Sequence, residues 1–310
     1  MKSTGIRALI TLACLALSAI PLPATALLGG EVDAREDFSA VVALTLGETP
    51  HCSATKIAPD AFLTAAHCVA DMRAGTLDAA FQPGRRIFVS NRTEPMTRED
   101  FIGLTLRKTQ IHPRYREALQ RFFAYREEKV RDYRARYTGE ELARRIRLIE
   151  ASHHFTSRFP DVAILFVREP TASIPLARVD CAPLLPGDAV QLVGYGYESL
   201  KNIALARQKH PFGRRHWGTT EVIRVDPVNF YTYGGLMRAG EPSLSPGDSG
   251  GPVLRSGRVV GVNGTVYGLS RLDAARSNMS VNLNGLGAAD DGDRQEGCRA
   301  FFKMAQPRSD

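Results

Sequence analysis

All seven histidines of this 310-residue chain, at 51, 67, 112, 153, 154, 210 and 216, precede Ser249, and that order restricts the folds open to it more than any other feature. Ser249 lies in Gly247-Asp248-Ser249-Gly250-Gly251-Pro252, and far upstream stands Leu63-Thr64-Ala65-Ala66-His67-Cys68. Serine is a weak nucleophile at its ordinary pKa and needs an adjacent base, while flanking glycines let a carbonyl approach the backbone amides that stabilise its oxyanion. The two segments together point to nucleophilic acyl transfer. Residues 247–251 also fit the G-x-S-x-G turn of α/β-hydrolases, but that architecture places its histidine after its serine. No histidine follows Ser249, so that fold is excluded. An acid ahead of His67 is a second order; Asp33, Asp37 and Asp60 are available, and none opens a buried apolar strand. The order that remains is histidine, acid, serine.

The acid that orients an imidazole needs burial and hydrogen bonding. Asp161 begins Asp161-Val162-Ala163-Ile164-Leu165-Phe166-Val167, a continuous apolar run of the kind expected for a strand covered on both faces. With Asp161 as third member, the chain resembles the chymotrypsin-like (trypsin-fold) serine endopeptidases. Their T-A-A-H-C, D-[IV]-A-L and G-D-S-G-G-P signatures occur here, in full or nearly so, in that order. The resemblance covers residue 27 into the C-terminal tail. It implies Ser249 as nucleophile, His67 as general base and then acid, Asp161 as orienting carboxylate, and the backbone amides of Gly247 and Ser249 as oxyanion hole. Protein or peptide substrates are implied, with no cofactor and no metal.

Short apolar runs such as 40–44, 189–193, 222–225 and 259–262 alternate with Gly, Pro and Asp turn signals, so the chain reads as mostly β. The resemblance makes this an all-β fold of two packed six-stranded antiparallel β-barrels of the chymotrypsin type, with an inserted helical hairpin and a short C-terminal helix. The expected division is 27–175 for the N-terminal half and 176–310 for the C-terminal half and tail. Gly194-Tyr195-Gly196-Tyr197 is either a plain turn or, as in the family, a glycine-aromatic-glycine turn near the oxyanion site.

Residues 1–26 carry Lys2 and Arg7, then an apolar stretch from Ala8 to Ile20, then Ala24-Thr25-Ala26, the three regions of a secretory signal peptide. The apolar stretch is too short to span a bilayer. A secreted or periplasmic protein without stable membrane insertion is expected. Loss of Lys2 and Arg7 lowers the formal charge from +7 to +5, too mild to indicate nucleic-acid binding. The 33 arginines against 7 lysines fit a GC-rich bacterial genome. Cys52, Cys68, Cys181 and Cys298 remain after export, an even count that allows two disulfides in three connectivities. Cys52 with Cys68 resembles the family's bridge beside the catalytic histidine, which leaves Cys181 for Cys298. Asp290, Asp291 and Asp293 lack the spacing of an EF-hand loop.

The departure from the family lies between Ile111-His112-Pro113-Arg114-Tyr115 and Asp161, where the family's chain reaches its acid within a few residues. Leu119, Phe122, Phe123, Val130, Tyr133 and Tyr137 recur at helical spacing, and Thr138-Gly139-Glu140-Glu141 opens a second helix through Leu142, Ile146 and Ile149. A helical hairpin over about 116–156 is expected. Residues 113–158 hold twelve Arg or Lys against seven Asp or Glu, read as a solvated face or as a basic screen over the substrate cleft.

Ser243, six residues before the nucleophile, falls at the base of the family's primary specificity pocket, where an uncharged residue favours apolar side chains over Arg or Lys. Glu241, two residues off that register, is the acid that would reverse the preference. Leu27-Leu28-Gly29-Gly30 resembles the family's activation terminus, whose freed ammonium pairs with the acid before the nucleophile, here Asp248. The competing reading is a catalytically silent secreted binding or adhesion module on a protease-like fold. The oligomeric state is not readable from the chain.

Overall fold

The apolar run after Asp161 becomes a strand with all five residues, Ala163–Val167, buried. Both of its edges are hydrogen-bonded and both of its faces are covered, which is why it carries no alternation of polar and apolar residues. The computed structural model describes residues 27–46, 49–72, 74–94, 97–151, 158–197, 213–235, 237–267, 277–287, 294–303 and 305. The expected signal segment 1–26 and Asp290, Asp291 and Asp293 lie outside them.

Strands β1 (Val41–Leu46), β2 (Thr49–Ala58), β3 (Ala61–Thr64), β4 (Arg86–Ser90), β5 (Ile102–Ile111) and β6 (Ala163–Val167) close into an antiparallel barrel in the order β1-β2-β3-β6-β5-β4. A second ring follows from β7 (Ala189–Gly194), β8 (His216–Val225), β9 (Asn229–Tyr233), β10 (Pro252–Arg255), β11 (Arg258–Tyr267) and β12 (Ser277–Asn282). Its order is β8-β7-β10-β11-β12-β9, and β9 pairs back with β8 to close it. Closure satisfies strand edges that would otherwise template aggregation. A C-terminal helix, Arg294–Lys303, packs Phe301 and Phe302 against the core.

The insertion joins β5 to β6, two strands that are already neighbours, so it leaves the barrel closed. Its base is clamped where the His112 N–H donates to the Val162 carbonyl at 3.0 Å. Helix α1 (Pro113–Arg136) and helix α2 (Gly139–Ala151) form the hairpin. Helix α1 starts three residues earlier than the expected insertion, because Pro113 takes the first helical position, where its missing N–H costs nothing. Tyr115, Ala118, Leu119 and Phe123 bury one stripe of its first three turns. The more distal Val130, Tyr133 and Tyr137 are only half-buried, so the root of the hairpin belongs to the core and the tip does not.

Two disulfides are formed, Cys52–Cys68 and Cys181–Cys298. In the chain-entropy description the 16-residue and 117-residue separations correspond to about 3 and about 5 kcal/mol. Between the barrels Arg215 and Asp33, both buried, pair at 2.7 Å. Arg215 also donates to the Asn91 carbonyl, the Tyr195 hydroxyl and Thr93 Oγ1, so all three guanidinium nitrogens are engaged. Burial, opposed by Arg215, pushes the Tyr195 phenol above its usual range and keeps it a neutral donor to the Arg92 carbonyl.

Phe123 is 5% exposed, and its ring fills the space that the glycine at Gly75 leaves open. Phe123→Ala should therefore cost about 3 to 4 kcal/mol in urea unfolding. Tyr125→Ala, at a residue 51% exposed, should change stability by less than about 0.5 kcal/mol. Equal effects would show that the root of the hairpin is no part of the core.

Candidate active site

His67 lies in the short 3-10 turn Ala66–Cys68 that follows β3, and Asp161 stands just before β6. Because Thr64 on β3 is paired with Ala163 on β6, the two side chains leave the barrel at the same place. Asp161 Oδ1 accepts the His67 backbone N–H at 2.8 Å, and Oδ2 lies 2.6 Å from Nδ1. With Nδ1–H donated to a carboxylate, Nε2 is left as the acceptor, the tautomer a general base requires. Burial pulls the imidazole down, but the charge and hydrogen bond of Asp161 outweigh it and leave His67 above the ordinary histidine value. His51 and His112 behave oppositely. Burial dominates in both, holding His112 at about 4, and each is tied to a backbone carbonyl, Cys68 for His51 and Leu286 for His112.

Ser249 comes from the second barrel, in the turn before β10. A trans peptide points its C=O and N–H in opposite directions, so fixing each carbonyl fixes the following amide. The Pro246 carbonyl accepts from Tyr197 N–H at 3.2 Å and the Asp248 carbonyl from Gly251 N–H at 3.0 Å. These bonds turn the N–H groups of Gly247 and Ser249 the other way, and neither has an acceptor among the described residues. Two unclaimed donors beside a serine are the elements of an oxyanion hole. The Ser249 hydroxyl itself donates to the Gly264 carbonyl at 3.1 Å, and no hydrogen bond joins it to His67.

Asp248 is fully buried, and its carboxylate accepts from Gly196 N–H at 2.7 Å, Ser245 N–H at 2.8 Å and Ser245 Oγ at 3.0 Å. Burial raises its pKa to about 6 against those bonds. Gly194-Tyr195-Gly196-Tyr197 thus touches the Ser249 loop through Gly196 and Tyr197. A side chain at Gly196 would collide with Ser245 and Asp248, which explains the glycine.

Ser243 N–H donates to the Leu28 carbonyl at 2.9 Å, and Ser243 Oγ accepts from Gly235 N–H at 2.7 Å. Leu27 is fully buried in the core of the second barrel with Leu192, Leu244 and Val253. Glu241 is held by Arg238 at 2.7 Å, so its charge is compensated. Cys52, Cys68 and His67 place ligand atoms within 4.8 Å of one another, but both sulfurs are bonded in the disulfide and offer no thiolate to a metal. No helix among the described residues is long and apolar enough to cross a membrane.

Ser53 was not signalled by any sequence motif, yet it touches the Ser249 loop twice, through its amide to the Ser249 carbonyl and through its hydroxyl to the Gly247 carbonyl, both at 2.8 Å. Its one sequence cue is adjacency to Cys52, whose disulfide partner Cys68 follows His67.

A family profile described as a trypsin-like peptidase domain matches residues 52–262. Glucanase inhibitor protein 4 of Phytophthora infestans is 30% identical over 126 residues, which are 38% of this chain and 48% of that relative, so the chain spans about half the length of the curated relative it matches. Among solved structures, mouse neuropsin, a serine protease, aligns at a TM-score of 0.51 with 12% identity, covering 82% of this chain and 94% of its own. A variant of human heparin binding protein aligns at 0.52 with 13% identity over 82% and 91%. At these identities the structures speak for the fold alone.

Asp161→Asn removes the negative charge that raises the His67 pKa and leaves the desolvation that lowers it. The His67 ring proton followed by NMR titration should therefore titrate at lower pH than in the parent protein. An unchanged or higher midpoint would show that Asp161 does not control the imidazole.

Proposed function

The chain belongs to the trypsin-like peptidase family, and from that premise we propose that it is a secreted serine endopeptidase acting through His67, Asp161 and Ser249. The observation that carries this reading is the meeting of an oriented, carboxylate-bound imidazole from one barrel with a serine flanked by two unclaimed amides from the other. In the reaction Ser249 Oγ leaves its bond to Gly264, gives its proton to His67 Nε2 and attacks the scissile carbonyl. Asp161 stabilises the imidazolium that forms. The amides of Gly247 and Ser249 take the oxyanion, His67 returns the proton to the leaving amine, and water then hydrolyses the acyl-enzyme by the same steps. Secretion rests on the signal-like segment 1–26 and on two disulfides, which persist in oxidising compartments.

Ser249→Ala and His67→Ala should each lower kcat by about 10⁶, with the fold unchanged by circular dichroism. Substantial hydrolysis by purified Ser249→Ala would remove the mechanism. A second reading, a binding module on a retained fold, is favoured by the Ser249 hydroxyl's bond to Gly264 in place of His67, and by a relative named as a glucanase inhibitor. A parent protein that hydrolyses no peptide would select it.

Substrate preference follows from charge. Ser243 is neutral and already occupied, and Glu241 is paired with Arg238, so peptides with an apolar residue before the scissile bond should outperform those with Arg or Lys. A clear preference for Arg in a peptide library would reverse the assignment.

The amine of Leu27, freed by signal cleavage, is proposed to pair with Asp248. Leu27 is buried and Leu28 is hydrogen-bonded to Ser243, which supports an ordered terminus in this region. Among the described residues no cation lies against Asp248. Its carboxyl ionises near 3.8 unfolded and at about 6 folded, so the folded state holds the proton more tightly and stability from this group falls as pH rises between those values. Above pH 6 the loss is about 3 kcal/mol at 1.36 kcal/mol per unit. Protein extended before Leu27 should be folded but nearly inactive. Its stability deficit against the Leu27-terminal form, from unfolding curves, should widen from pH 4 to pH 7. Full activity of the extended form, or a deficit independent of pH, would exclude the pairing.

A further inference from the structure

We propose that Ser53 is the positioning residue of the oxyanion loop, an assignment that deepens the peptidase reading and rests on it. Ser53 belongs to β2 of the first barrel and is fully buried. Its N–H donates to the Ser249 carbonyl at 2.8 Å, and its hydroxyl donates to the Gly247 carbonyl at 2.8 Å while accepting the Tyr195 N–H at 3.0 Å. Its own carbonyl is held by Thr64 Oγ1 at 2.9 Å, three residues before His67.

Four consecutive peptide planes run through the loop. Those that carry the Gly247 and Ser249 amides are fixed from within the second barrel, by Tyr197 and Gly251. The two planes that alternate with them, carrying the carbonyls of Gly247 and Ser249, are both held by Ser53 and therefore by the barrel that carries His67. One residue, through its hydroxyl and its amide, thus sets the height of both oxyanion donors relative to the general base. The fit is tight: Gly250 has φ +85°, and a side chain there would strike the Ser53 carbonyl and Thr64. The Tyr195 bond extends the link to Arg215 and Asp33, whose ion pair is sealed between the barrels. Ser53 touches no reacting atom. Its effect is to keep two amides where negative charge develops, a contribution felt in the transition state more than in substrate binding.

Ser53→Ala deletes the hydroxyl and keeps the amide; Ser53→Gly does the same and leaves space for a water to take the vacated position. For either variant kcat should fall about 10- to 100-fold with KM within about threefold, and affinity for a peptide boronate should fall in parallel with kcat. Amide hydrogen exchange at Asp248 and Gly250, which donate to Ser245 and Asn263, should accelerate while β10 is unaffected. In the unmodified protein the Tyr195 amide should exchange as slowly as those of β7. Undiminished kcat in a folded variant, or fast exchange at Tyr195 in the unmodified protein, would overturn the assignment. If the parent protein proves inert toward peptides while Ser53→Ala still loosens Asp248 and Gly250, the positioning role stands and the peptidase reading falls. If the parent is active and Ser53→Ala changes neither rate nor exchange, only the role of Ser53 falls.

Discussion

The reaction centre proposed for this chain is split between two barrels, so the structure depends on the seam that holds one against the other. Acyl transfer tolerates little error in the distance between base, nucleophile and oxyanion donors. At the seam Arg215 and Asp33 are removed from water together, with further bonds from the guanidinium to Asn91, Tyr195 and Thr93. Such a pair adds little net stability against an apolar substitute of equal volume, but breaking it leaves an uncompensated buried charge and costs about 3 to 5 kcal/mol. Its consequence is register: it ties the segment after Leu27, the loop after β4, and the start of β8 to Tyr195. Tyr195 in turn bonds Ser53, and Ser53 bonds the loop of Ser249.

His67 and Asp161 show the same economy on a smaller scale. Adjacent strands β3 and β6 deliver the two residues to one barrel end, and a single carboxylate accepts from both the backbone and the ring of His67. Orientation and tautomer are set together. The disulfide Cys52–Cys68 closes the segment that carries His67, and the hairpin is added between β5 and β6, which remain paired.

What could be read beforehand was whatever is local or periodic. The apolar run after Asp161 announces a doubly covered strand, the three- and four-residue spacing from Leu119 to Ile149 announces two helices, and small residues crowd His67 and Ser249 where backbones pass closely. Helix α1 begins at Pro113 and not near residue 116, because a proline is accommodated in a first helical turn. Ser53, Tyr195, Arg215 and Asp33 were illegible as a network for a different reason. Their bonds span 20 to 194 residues of sequence, and none imposes a pattern on its neighbours. Arg215 sits between Arg214 and His216 and reads as an ordinary surface cation until its complete burial is seen.

The central claim is that Ser249 is an activated nucleophile, and a fluorophosphonate probe tests it most directly because phosphonylation needs a deprotonating base beside the hydroxyl. With the Leu27-terminal protein, peptide mass mapping should place the adduct on Ser249 alone, and the labelling rate should rise with pH through the His67 titration, the imidazole acting only when neutral. Failure of the probe to react, or an adduct at another residue with Ser249 untouched, would contradict it.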